Sequence, residues 1–304
     1  MPGFPKTKPP ANQRALETWV SQKARDDGVA ANRLRRGISF MVIAAVLARF
    51  VDEEGLPLFL LKGGVAMELR VGLRARASND YDTAFRQAIE RLAVVLAEAE
   101  THVHGEFRVT AGKVVPIGPT GAVRIPLKLA YRTRDWGSVD LEVAVAEGGS
   151  GAADTIEYAD GSPDLSVFGL PDVERVALLP LPYQIAQKIH ACTEQKDGKD
   201  NDRFRDLVDL ILLDDLVVDG DLGRVLDACL DVFSLRGTHA WPPKVTVYPL
   251  WSDQYRALSE GMDFPVTDVH DAAAAVDAIV ARISSASREL SGHGTQRYAK
   301  NSRG

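Results

Sequence analysis

Between residues 38 and 85 the hydrophobic period changes from helical to extended and back, and this stretch constrains the fold more than any other. Ile38 to Glu54 reads as a helix, with Met41, Ala45 and Leu47 or Ala48 at helical spacing. Gly55 closes it. Pro57-Leu58-Phe59-Leu60-Leu61 is a nearly continuous apolar run, the pattern of a short buried strand. Lys62-Gly63-Gly64 is a turn, Val65 to Val71 one or two helical turns, and Ser78 to Phe85 a second strand. Side chains alternate along a strand, so Ser78, Asp80 and Asp82 are expected on one face. Two neighbouring carboxylates repel, and one pKa rises unless positive charge lies between them. A divalent metal is the usual solution. Glycines let the backbone approach a ligand, and amides at a helix start suit phosphate. Strand, glycine turn, short helix and carboxylate strand form a compact unit that would hold a triphosphate over a metal pair.

The rest of the chain supplies candidate partners. Val123 to Tyr131 alternates strongly, with Arg124 and Lys128 on its polar face, and Pro126 predicts an edge position or a bulge. After a turn at Asp135-Trp136-Gly137, a strand from Val139 to Val145 places Asp140 and Glu142 on one face. Two-metal chemistry needs shared ligands on adjacent elements, and Glu142 is favoured over Asp140 as the third carboxylate. Helices are expected over residues 12–29, 87–101, from Pro182 through Cys192, and over 204–213, 222–233 and 268–283, with a fraying tail from Ser284. Asp206 and Asp209 share a helix face, and Arg203 lies three residues before Asp206. His190 has no His or Cys at metal-ligand spacing, so it reads as a satisfied histidine and zinc is improbable.

Composition bounds the class. The 304 residues are 45% hydrophobic and 26% charged, enough for one large domain or two modest ones. A net charge of −6 argues against a protein coated in basic residues but permits a local basic patch. The two cysteines, Cys192 and Cys229, form no CxxC, which points to a reducing, cytoplasmic setting. The start MPGFPKTKPP lacks the apolar run of a signal peptide, and no apolar stretch is long enough to span a membrane.

Taken together, Lys62-Gly63-Gly64, Arg76-x-Ser78-x-Asp80-x-Asp82, Lys188-Ile189-His190-Ala191 and Arg203-x-x-Asp206-x-x-Asp209 resemble the AbiEii-type (MenT-like) nucleotidyltransferase toxins, of the DNA polymerase β-like nucleotidyltransferase superfamily. Order and spacing carry the resemblance, over roughly residues 35–215; Val65 departs from the commoner Thr after the glycines. The resemblance implies an α/β (α+β) fold, a nucleotidyltransferase core with a mixed sheet plus a helical C-terminal half. The domains would be an N-terminal extension over 1–35, a catalytic core over 36–175, and a helical domain over 176–304 that completes the active site.

It also implies a toxin of a bacterial toxin–antitoxin system. Such a toxin transfers nucleotides from an NTP to RNA, notably the tRNA 3′ acceptor end, blocking aminoacylation. Carried over residue by residue, Asp80 and Asp82 would hold Mg²⁺ in a two-metal site, to which the strand pattern adds Glu142 as third carboxylate. Lys62 and Lys188 would contact the triphosphate beside Gly63, Gly64 and Ser78, Asp206 would orient Lys188 or take part in catalysis with Asp80 and Lys188, and Arg203 and Asp209 would support the helix. Partners would be tRNA, an NTP and a cognate antitoxin; some antitoxins of the family act as kinases, and phosphate on Ser78 would add roughly two negative charges beside the metal. Lys23, Arg25, Arg33, Arg35, Arg36, Arg124, Lys128 and Arg132 are candidates for gripping RNA. The rival readings are a small-molecule, antibiotic-type nucleotidyltransferase and a non-catalytic RNA- or protein-binding module.

Overall fold

The computed structural model describes residues 6–97, 102–118, 121–195 and 200–298. The chain divides into two compact units. The first comprises Met1–Gly72, Arg76–Ala146 and Gly151–Leu179, the second Leu73–Ala75, Glu147–Ser150 and Pro180–Gly304.

In the first unit, α1 (Gln13–Asp27) starts at Asn12, whose side chain accepts from Ala15 N, and ends at the left-handed Gly28. Then come α2 (Ala31–Leu47), β1 (Phe59–Leu61), α3 (Gly63–Val71), β2 (Tyr81–Phe85) and α4 (Leu92–Ala97). Seven strands follow: β3 (Val103–His104), β4 (Phe107–Ala111), β5 (Val115–Ile117), β6 (Ala122–Tyr131), β7 (Arg134–Val145), β8 (Glu157–Asp160) and β9 (Arg175–Leu178). The nine strands make one mixed sheet in the order β3-β4-β6-β7-β2-β1-β9-β8, with β5 also paired to β6. The β2–β7 and β1–β9 pairs are parallel. Tyr81, Leu141 and Val143 face a core shared with α2, whose Ile38, Val42 and Ile43 are fully buried. The register sets Asp82 opposite Glu142, and Glu142 opposite Arg124.

The second unit contains α5 (Leu181–Thr193), α6 (Arg205–Asp214), α7 (Leu222–Arg236), α8 (Trp251–Gly261) and α9 (Val269–Tyr298). Its core joins Ile185 and Ile189 of α5, Leu207 and Leu210 of α6, Cys229 and Val232 of α7, and Val276 of α9. The mixed sheet and the helical C-terminal half are as the sequence predicts.

Several boundaries differ, each for a local reason. The second helix stops at Leu47 because Val51 bridges to Pro57 and Asp52 Oδ1 accepts from Glu54 N and Leu56 N. Gly55 therefore serves a turn rather than a helix end. The expected 87–101 helix is a 3₁₀ turn (Ile89–Arg91) and α4; residues 98–101 lie outside the described residues. The β6–β7 hairpin turns at Arg132–Thr133, with Arg132 at φ +55°, not at Asp135–Gly137. Trp136 belongs to β7 at a register shift, and its buried indole donates to Ser39 Oγ. Pro126 lies inside the sheet, not at an edge. Its carbonyl accepts from Gly112 N, so the missing N–H falls on the side where the chain crosses from β4 to β5. No periodic pattern announced α8; buried Trp251 and Tyr255 anchor it. The helix expected to fray from Ser284 continues to Tyr298. No helix among the described residues is long and apolar enough to cross a membrane.

Candidate active site

The glycine turn and the carboxylate strand form one object in the first unit. β1 delivers Lys62, whose backbone N–H donates to Asp82 O at 2.9 Å. Gly63 follows at φ +64°, a conformation that glycine alone adopts without strain. A Cβ there would lie 2.0 Å from Asp82 Oδ2, and a Cβ on Gly64 would lie 2.7 Å from Ser78 Oγ. Both glycines are thus required by the side chains packed on them, and the N-terminus of α3 is held against Asp82. Val65, which departs from the commoner Thr, is buried.

Ser78 and Asp80 precede β2 rather than belonging to it. Ser78 is 5% exposed, its N–H donating to Glu68 Oε1 at 2.9 Å and its hydroxyl to Asp80 O at 3.1 Å. Arg36 donates to Ser78 O at 2.8 Å and Asn79 Oδ1 at 2.6 Å, pinning the approach to the strand. Asp80 is exposed while Ser78 is buried, so these two do not share the environment that strict alternation predicts.

Charge is concentrated on this face. Although the residue is exposed, partial desolvation raises the pKa of the Asp80 carboxyl, and repulsion from Glu142 and Asp140 raises it further, against opposition from Arg124 and Arg36. Arg124 grips Glu142, with Nη2 at 2.5 Å and Nε at 3.0 Å, and lies 3.9 Å from Asp140. Excess negative charge on hard oxygen donors suits a divalent cation such as Mg²⁺. Asp80 and Asp82 fit such an ion, whereas Glu142 is held by Arg124. Among the described residues no three ligating side chains converge as a ready metal cluster.

The second unit gathers the other motif. Lys188 Nζ donates to Asp206 Oδ1 at 2.7 Å and to Asp209 Oδ2 at 2.6 Å. All three side chains are at least nine-tenths buried. Asp209 therefore contacts Lys188 directly, a closer role than helix support. Arg203 is exposed; its backbone carbonyl accepts from Asp206 N. His190 is buried against Phe233 and His239, with Arg236 3.3 Å from Nδ1 and Thr238 3.1 Å from Nε2. Burial, then Arg236, push its pKa down to about 3, so it is a neutral packed histidine as expected.

A sequence model described as "Nucleotidyl transferase AbiEii toxin, Type IV TA system" matches residues 45–282. The chain belongs to the AbiEii nucleotidyltransferase toxin family. A search of curated proteins gave no match. The AbiEii match spans both the glycine–carboxylate unit and the Lys188 cluster. Membership brings a nucleotidyltransferase activity with an NTP as substrate, and a cognate antitoxin. Sequence reasoning missed the roles of Arg36 and Glu68 in fixing Ser78, and placed Arg124 on RNA rather than on Glu142. A hairpin turn at the right residues would have revealed the Arg124–Glu142 pair; nothing in the sequence marks Glu68. The N-terminal basic side chains engage partners within the chain: Lys23 with Asp27, Arg25 with Gln22, Arg33 with Glu68, and Arg35 with Glu17 and the Trp136 carbonyl.

Proposed function

We propose that the protein transfers a nucleotide from an NTP to the 3′ acceptor end of tRNA, with Mg²⁺ in a two-metal arrangement. The observation that carries this is the close fit of Gly63 on Asp82, which ties a helix N-terminus to a carboxylate strand. In the reaction a bond forms between the RNA 3′ oxygen and the α-phosphorus, the α–β phosphoanhydride breaks, and pyrophosphate leaves. Asp80 and Asp82 are the residues to hold the metal, with Glu142 as the third carboxylate. The bound metal would neutralise charge on the phosphates and lower the barrier to transfer. The chain itself orients: Gly63 and Gly64 set the α3 N-terminus, Lys62 and Lys188 contact the triphosphate, and Asp206 and Asp209 orient Lys188. Arg203 supports the turn before α6.

The consequence in a cell is tRNA that cannot be aminoacylated, arrested translation, and a cytoplasmic site of action. The cognate antitoxin is of kinase type, and Ser78 is its target. Phosphate there would add negative charge beside Asp80 and Glu68 and displace the Gly64 turn. A small-molecule acceptor remains the second reading, favoured by the internal pairing of the N-terminal arginines. Incubation with total tRNA and each labelled NTP in turn, with Mg²⁺, separates the two. Label in tRNA with at least one NTP is expected; no label with any NTP would move the acceptor away from RNA.

A further inference from the structure

Arg124, Glu142 and Asp82 occupy one register row across β6, β7 and β2. Asp140 and Asp80 flank that row, and the Asp80, Asp140 and Glu142 carboxylates share one field with two guanidiniums, Arg124 and Arg36. The two cations differ. Arg36 is fixed by neutral acceptors, the Ser78 carbonyl and the Asn79 amide. Arg124 instead binds a carboxylate through two nitrogens, and its side chain is 47% exposed, so it can rotate away into solvent. A two-nitrogen grip on one carboxylate is strong and directional. Both nitrogens engage Glu142 Oε1, an oxygen that a third metal ligand would offer.

We propose that Arg124 is a positioning residue, the resident counter-ion of the carboxylate row. It competes with a divalent cation for Glu142 and thereby sets how tightly the cation is held. The inference rests on the nucleotidyltransferase reading of Asp80 and Asp82. It assigns Arg124 to the metal equilibrium and not to RNA.

The test is titration of the full-length protein with Mn²⁺ alone, followed by electron paramagnetic resonance, with a thermal melt of every variant to establish folding. Arg124→Gln is expected to tighten Mn²⁺ about five- to tenfold, the range for a half-exposed charge removed a few ångströms from the ligands. Arg124→Lys, which keeps charge but loses the fork, should fall between Arg124→Gln and the parent. In a Glu142→Gln background the Arg124→Gln effect should vanish, because the two act through one contact. Mn²⁺ affinity unchanged or weakened in Arg124→Gln overturns the proposal, as does the same tightening without Glu142. Asp80→Asn separates the two levels. If it weakens Mn²⁺ while Arg124→Gln does nothing, only the counter-ion role is lost. If Asp80→Asn leaves Mn²⁺ binding intact, or no variant binds it, the metal reading of the strand fails as well.

Discussion

The Asp80–Asp82 strand and the Lys188 cluster both gather more carboxylates than cations, yet Asp80 is exposed and the Lys188 cluster is buried. Around Asp80, negative charge outweighs its counter-ions, and the carboxyl is raised and exposed. Around Lys188, two carboxylates close on one ammonium in a buried setting. An exposed surplus of charge is suited to receiving a ligand. The buried cluster adds a structural role to the proposed triphosphate contact, because removing Lys188 takes an ion-pair partner from two buried carboxylates. The two motifs should therefore respond differently to the same kind of substitution.

The largest contrast is expected between Asp80→Asn and Lys188→Ala. Asp80→Asn should reduce transfer on the order of a thousandfold with an unchanged melting temperature. Lys188→Ala should abolish transfer and also cost about 3–5 kcal/mol, lowering the melting temperature on the order of ten degrees. Calorimetry of both variants beside the transfer assay checks this; equal stability loss would erase the contrast. Gly63→Ala comes next. Its Cβ would collide with Asp82 at a positive φ, so transfer should fall about a hundredfold through misplacement of Asp82. Ser78→Glu should also fall at least tenfold, whereas Ser78→Ala, which loses one hydrogen bond to Asp80 O, should keep most activity. A Ser78→Glu variant as toxic as the parent would remove the switch. The smallest effect is expected for Lys23→Ala, an exposed pair with Asp27 worth about 0.3–0.5 kcal/mol, with transfer unchanged.

The same contrast explains what the sequence revealed. Local rules placed the strand–turn–helix–strand unit, since Leu61, Lys62-Gly63-Gly64 and Asp82 are close in sequence and their periodicity changes sharply. Helical spacing put Asp206 and Asp209 on one face, and only the family resemblance joined Asp206 to Lys188; neither brought Asp209 onto the lysine. Long-range register was harder. Mistaking Trp136 for a turn residue hid the hairpin alignment that sets Arg124 on Glu142, because a β-bulge leaves no local mark. Pro126 misled for a related reason: it is tolerated inside the sheet only because β4 and β5 share one side of β6. Burial of Ser78 was also illegible, since it depends on Gly64 and Glu68 of α3 and Arg36 of α2 arriving together.

The central claim, nucleotide transfer through Asp80 and Asp82, is tested most directly by one assay. Parent and Asp80→Asn proteins, matched for melting temperature, are incubated with α-labelled NTPs, Mg²⁺ and total tRNA, and label in tRNA is counted against pyrophosphate released. The account expects one pyrophosphate per nucleotide incorporated by the parent and essentially none by the variant. Incorporation by Asp80→Asn at the parent rate would contradict it.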